Sequence, residues 1–204
     1  THMESAYLDW KSSVLEISRT VSMAKEGQFE DFKESVNEAL NKPDTQITGS
    51  VLAHTLTLNS ESHCLEASID LAVLEIENDY PEKDLSLGET RRIKQVSVTL
   101  PALIEPYQDI QAVLSYIPTD GCSIHTSLTQ TATSHGFNDS GMFQINFDGE
   151  NYLPFEGLPI NSGKLVLHFQ NADKNNLAFD KQESILRTLS NAIFHIKYTI
   201  QYMQ

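Results

Sequence analysis

Ala192-Ile-Phe-His-Ile-Lys-Tyr-Thr-Ile-Gln-Tyr202 alternates without a break: Ala192, Phe194, Ile196, Tyr198 and Ile200 share one face, and His195, Lys197, Thr199 and Gln201 share the other. Successive side chains on extended backbone point to opposite faces, so a period of two marks a half-buried strand. The same alternation runs through Leu65, Ala67, Ile69, Leu71 and Val73 within 63–76, through Lys94, Val96, Val98 and Leu100, and through Ile110, Ala112, Leu114 and Tyr116. Residues 142–147 and 164–169 repeat it. Clusters of Pro, Gly, Asn and Asp separate these runs and no helix alternates with them, which predicts an antiparallel β-sandwich rather than a parallel sheet. Residues 183–189 read as a helical turn before the last strand.

Upstream the period changes. Tyr7, Trp10, Val14, Ile17, Val21 and Ala24 fall at 3-4-3-4-3 spacing, one stripe of a helix, with Gly27 as its stop. Phe29, Phe32, Val36 and Leu40 draw a second helix that Pro43 ends. The expected fold is therefore mainly β, an antiparallel β-sandwich preceded by one or two N-terminal helices. Residues 1–3 read as an expression-tag remnant, 4–42 as the helical segment, 43–60 as a linker or first strand and 61–204 as the sandwich. The first helical stripe opens without a cap, like a piece of a longer helix. Its occupant is either the neighbouring domain or another copy of the chain.

Composition narrows the function. The chain has 204 residues, 28 acidic and 14 basic, for a net charge of −14. With no basic cluster longer than Arg91-Arg92, nothing neutralises a run of phosphates, so nucleic acid and anionic membrane surfaces are poor partners. The apolar run 69–76 is interrupted by Asp70 and Glu75 and is far too short to cross a bilayer. Cys64 and Cys122 make no disulfide framework.

Catalytic patterns are thin. Gly136, Gly141 and Gly149 are scattered, and no phosphate-cradling loop forms around them. Cys122-Ser-Ile-His125 is half a metal site, and His63 and Cys64 are adjacent on opposite faces of a strand. Ser134-His-Gly-Phe-Asn-Asp-Ser-Gly141 holds Ser, His and Asp in one loop, where they read as turn chemistry rather than a triad. The acid pairs Glu75/Glu77 and Asp79/Glu82 read as a solvated face. No catalytic residue, metal or cofactor is assigned. In Tyr152-Leu-Pro-Phe-Glu-Gly157 two rings flank a proline, the pattern of a packed corner or of a recognition anchor.

Seven stretches in order carry a resemblance: Leu15-Glu-Ile-Ser-Arg-Thr-Val-Ser-Met23, Asp79-Tyr-Pro81, Arg91-Arg-Ile-Lys-Gln-Val-Ser-Val-Thr-Leu-Pro101, Pro106-Tyr-Gln-Asp-Ile-Gln-Ala-Val-Leu-Ser-Tyr116, Ser134 to Gly141, Tyr152 to Gly157, and His195-Ile-Lys-Tyr-Thr-Ile200. Together they resemble the C-terminal, B-component-binding end of the A component (TcA) of bacterial Tc insecticidal toxin complexes. Residues 42–62 and 118–133 carry no such text.

The resemblance implies a non-catalytic docking domain of a secreted toxin complex. In that family the A component is a pentamer whose long helices form a translocation channel, and its C-terminal region docks the β-propeller that gates the cocoon made by B and C. It implies no cofactor and no membrane insertion by this segment. An acidic docking domain suits a steered partner with basic patches. The expected contacts are loops at one end of the sandwich: Tyr80 and Pro81, Asn138 and Asp139, and Tyr152, Phe155 and Glu156. Tyr7, Trp10, Val14, Ile17 and Val21 are the expected oligomer or channel junction. A carbohydrate-binding sandwich is the alternative, on fold analogy alone.

Overall fold

The computed structural model describes residues 14–48, 54–75, 89–103, 110–118, 132–134, 142–146, 155–173 and 182–202. In chain order they form β1 (Val14–Ser22), α1 (Phe29–Asn41), β2 (Ile47–Thr48), β3 (His54–Asn59), β4 (Cys64–Asp70), a 3₁₀ turn (Leu71–Leu74), β5 (Glu89–Pro101), β6 (Ala112–Ile117), β7 (Ala132–Ser134), β8 (Met142–Asn146), β9 (Lys164–Phe169), α2 (Glu183–Leu186) and β10 (Ile193–Tyr202). Among the described residues one sheet runs β1-β10-β5-β8 and the other β2-β3-β4-β9-β6-β7. Every pairing between them is antiparallel.

β10 sits inside its sheet and behaves as its alternation requires. Phe194, Ile196, Tyr198 and Ile200 are buried. Phe194 lies between Val21 and Val98, and Ile196 opposite Val96. The facing sheet contributes Leu56, Leu58, Leu65, Ala67, Ile69, Leu114, Leu165, Leu167 and Phe169 to the same core. Removing each large apolar side chain from water is worth about 1.5–3 kcal/mol, which outweighs the weak local preferences of single residues. A bulge at Lys94 and Gln95 shifts the β5–β10 register, so both Ile93 and Val96 point inward and the predicted alternation stops at Lys94.

The first predicted helix is corrected: 14–22 is a strand. Leu15, Ile17, Arg19 and Val21 also alternate, and Ile17 and Val21 belong to both patterns. Val14, Ile17, Thr20 and Val21 are β-branched, which favours a pleated surface. Nine consecutive partners on β10 then decide the matter. Tyr7 and Trp10 lie outside the described residues.

The second helix forms as α1, burying Phe32, Val36, Ala39 and Leu40 and leaving Phe29 exposed. Its exit is a built turn. Asp44 takes a left-handed φ of 59°, its amide donates to Leu58 O at 2.7 Å, and its carboxylate accepts from Ser60 N at 3.0 Å and Ser60 Oγ at 2.6 Å. The 43–60 segment thus joins the six-stranded sheet through β2 and β3, and the sandwich starts well before residue 61. The strand expected over 63–76 spans only Cys64–Asp70, because Asp70 Oδ1 accepts from Ala72 N at 3.0 Å and caps the 3₁₀ turn. Val73 is therefore exposed rather than buried on a strand face.

Candidate binding surface

One end of the sandwich is closed by residues 155–163. Leu158 N donates to Phe155 O, Gly157 N to Ile93 O at 2.8 Å, and Ile93 N to Leu158 O at 2.8 Å. Arg92 Nη1 donates to Gly157 O at 2.7 Å. Gly157 has φ of 85°, a backbone state that L side chains rarely enter. On the other side Tyr116 Oη reaches Pro159 O at 3.0 Å and Ser162 O at 2.9 Å, and Leu71 N donates to Gly163 O at 2.9 Å. A Cβ at Gly163 would stand 2.6 Å from Tyr116 Oη, and its φ is 96°. The segment therefore stitches β5 of one sheet to β6 and the β4 exit of the other.

This corner sorts its residues. Phe155 is 1% exposed, so its ring plugs the core and does not present an anchor to a partner; the recognition reading of that residue is corrected. Glu156 and Pro159 face solvent. Two apolar side chains lie exposed at the same end: Val73 at 45%, which the alternation had put on a buried face, and Ile117 at 45%, which it had put on the outward one. Ile117 pairs with Lys164, which pairs in turn with Asp70. The signal for Val73 was the Asp at 70, able to cap a turn; the signal for Ile117 was the following Pro118.

The opposite end is held by α2 and its flanks. Gln182 Oε1 accepts from Gln111 N at 2.6 Å, and its amide donates to Gln111 O at 3.0 Å and to Gln170 O. Ser190 N donates to Pro101 O at 3.0 Å, and Leu103 N to Thr188 Oγ1 at 2.9 Å. Ser134 pairs with Ala112 and Met142 with Pro101, so the strand ends that flank 135–141 lie here. The strand ends flanking 76–88 lie at the 155–163 end.

Tyr80, Pro81, Asn138, Asp139 and Tyr152 fall outside the described residues. Of the expected junction, Ile17 is half-buried and Val21 buried, both on the inward face of β1, and Val14 begins that strand. They form no helical seam.

The outward face of the four-stranded sheet is polar. Lys94 Nζ donates to Glu16 Oε2 at 2.5 Å across β10. That hydrogen bond holds the Glu16 carboxyl below the usual carboxylate range, with burial opposing it and the charges of Lys94 and Lys197 adding to it. His195 Nε2 lies 2.9 Å from Thr99 Oγ1, and its Nδ1 lies 3.5 Å from Thr20 Oγ1. Elsewhere His63 pairs with Asp173 at 3.2 Å and His168 with Glu66 at 3.5 Å. Burial pushes the Cys64 thiol up, with the Glu66 charge adding to the rise and a Ser62 hydrogen bond opposing it. Among the described residues no three His, Cys, Asp or Glu side chains converge on a metal-sized site. These pairs link strands and turns.

Residues 119–200 match the family described as the Tc toxin complex TcA C-terminal TcB-binding domain. A stretch of 133 residues is 35% identical to the toxin subunit YenA2 of Yersinia entomophaga, covering 53% of this chain and 9% of that protein. The fold superposes on a chain of the Yersinia pseudotuberculosis TcaA-TcaB cryo-EM structure with a TM-score of 0.66 at 38% identity, over 98% of this chain and 10% of that one. Morganella morganii TcdA4 gives 0.61 at 34% identity, over 98% and 8%. The chain spans about a tenth of the length of these relatives.

Proposed function

We propose, for a chain that carries the TcA C-terminal TcB-binding domain, a non-catalytic docking role: it binds the B component of a secreted Tc toxin, at the β-propeller that gates the B–C cocoon, and joins that cocoon to the A-component translocation channel. The observation that carries the reading is the family match over 119–200 within a fold that aligns along 98% of the chain with a Tc toxin subunit. In the assembled A subunit several copies, five by the resemblance, present these domains together.

The geometry supports such a role through rigidity. Residues 155–163 at one end and α2 with its flanks at the other tie the two sheets together by hydrogen bonds, so loops springing from either end are held on a stiff frame. Pre-organised surfaces lose less entropy on binding. Glu156, Pro159, Val73 and Ile117 are among the exposed described residues at the 155–163 end, and they mix apolar contact with charge, as interfaces do.

The test is binding of the purified chain to immobilised B–C component by interferometry, with a salt series. Saturable binding supports the role, and a decline with salt assigns part of the affinity to the acidic surface. A folded chain that shows no binding, alone or displayed on a pentameric scaffold, refutes it.

A further inference from the structure

The charges of the chain are unevenly placed. Acids outnumber bases 28 to 14 over the whole sequence. The outward face of the four-stranded sheet reverses that ratio: among its described residues Arg92, Lys94 and Lys197 face one acid, Glu16. Glu16 accepts from Lys94 Nζ at 2.5 Å. Arg92 donates Nη1 to a backbone carbonyl, Gly157 O, which satisfies a hydrogen bond and leaves its charge without an acid. Lys197 is exposed and, among the described residues, joins no ion pair. Arg92 pairs with Thr199, which follows Lys197 by two positions on the same face. The two cations are thus diagonal neighbours, about 7–8 Å apart. Ser18 and Thr20 beside them are short and exposed, so a partner can come down onto the sheet.

The helix α1 carries the opposite excess. Glu30 pairs with Lys33 at 3.5 Å and Glu38 with Lys42 at 2.7 Å. Asp31 and Glu34 are exposed and, among the described residues, join no ion pair. Three positions apart, they stand on one side of the helix about 5–6 Å from each other, a span that the long side chains of Arg92 and Lys197 can bracket. α1 itself packs on β3 of the other sheet, where Phe32 meets the His54 ring at 5.9 Å between centroids. A chain therefore cannot bring its own α1 to the outward face of the four-stranded sheet, and another copy can.

We propose that the outward face of the four-stranded sheet seats α1 of a neighbouring copy, with Arg92 and Lys197 meeting its Asp31 and Glu34. The two surfaces differ, so the contact is head-to-tail and each copy offers both halves, as in a cyclic assembly. The net charge of −14 on each copy opposes approach at long range, but salt screens it beyond about 8 Å at physiological ionic strength, and at contact the local signs decide. The occupant is a copy rather than the B component, because a basic face repels the basic patches that suit the acidic remainder of the chain. The inference uses the docking role above only to bring copies side by side.

The experiment mixes isotope-labelled and unlabelled chain at up to about 1 mM, the effective concentration of neighbours in one assembly. Carbodiimide then joins carboxylates to amines in direct contact, and mass spectrometry reads the linked peptides. The Lys94–Glu16 link within one copy is the internal control. Lys197 joined to Asp31 or Glu34 of the other label is expected, with sedimentation mass rising with concentration. Lys197→Glu should weaken that association at least about fivefold with the melting temperature kept, and mixing Lys197→Glu with Glu34→Lys copies should restore it. A sedimentation mass of one copy at every concentration, or links between labels that leave out Lys197 or α1, overturns the proposal. In that case binding of the B–C component by the same chain leaves the docking role standing. Association through this face by a chain that does not bind B–C leaves this inference standing without it.

Discussion

Asn191 is 3% exposed and ties the end of β1 to the start of β10. Its Oδ1 accepts from Ala24 N and from Ala192 N, both at 2.8 Å, and its Nδ2 donates to Ser22 Oγ at 2.7 Å. Ser22 Oγ in turn donates to Ala24 O at 2.8 Å. Asn191→Ala removes the acceptor of two buried backbone N–H groups, at about 1–3 kcal/mol each, and one further hydrogen bond worth about 1 kcal/mol. The expected loss is about 3–7 kcal/mol, or a drop of roughly 6–28 °C in melting temperature at this chain length. Urea denaturation followed by circular dichroism measures it. Ser22→Ala, alone and combined with Asn191→Ala, completes a double-mutant cycle, and the pair should fall short of additivity because both changes break the Ser22–Asn191 bond. A loss under about 0.5 kcal/mol for Asn191→Ala, or strict additivity in the cycle, would refute this account of the junction.

Gly163→Ala should destabilise the chain by about 2–4 kcal/mol through positive φ and the close Tyr116 ring, and adding Tyr116→Phe should recover none of it, because the ring carbon 2.7 Å away remains and the bonds to Pro159 O and Ser162 O are lost; thermal melts of both decide this. Phe155→Ala should cost about 3–5 kcal/mol and cut B binding only through loss of folded protein, which melting and binding curves at matched folded concentration separate. Glu156→Lys should leave the melting temperature unchanged and alter affinity for the B component, read by interferometry. The Asp44 carboxyl is held below its ordinary range because the Ser60 side chain and then its amide donate to it. A depressed folded value stabilises the fold above the ordinary carboxylate range and loses that effect as pH falls through it. Asp44→Asn should therefore lower the melting temperature at pH 7, and by progressively less as the pH is taken below the ordinary carboxylate range.

The sandwich was legible wherever one face of a strand is buried and the other more open, as in β4 and β10, because there the core imposes period two on the sequence. The first strand was misread because Ile17 and Val21 satisfy both periods. What separated them was a nine-residue partner about 175 positions away, which no local window contains. The 155–163 corner was legible as a corner, since Gly157 and the adjacent Pro and aromatics announce a turn. That Phe155 faces the core was not: its direction follows from Gly157 and Leu158 bonding Ile93, a contact set by the tertiary fold. Gly163 gave no signal at all, because its need for glycine is the position of Tyr116 Oη.

The two ends of the sandwich are set apart by the strands between them, and β8 alone, with 5 residues, carries the chain about 17 Å along the sheet. Exposed Glu156 stands at the end where Gly157 bonds Ile93, and exposed Leu103 at the end where it bonds Thr188. Substitutions at these two positions should act independently. If both weaken B binding, their effects should add, and the partner then spans both ends; if only one does, the footprint is confined to that end.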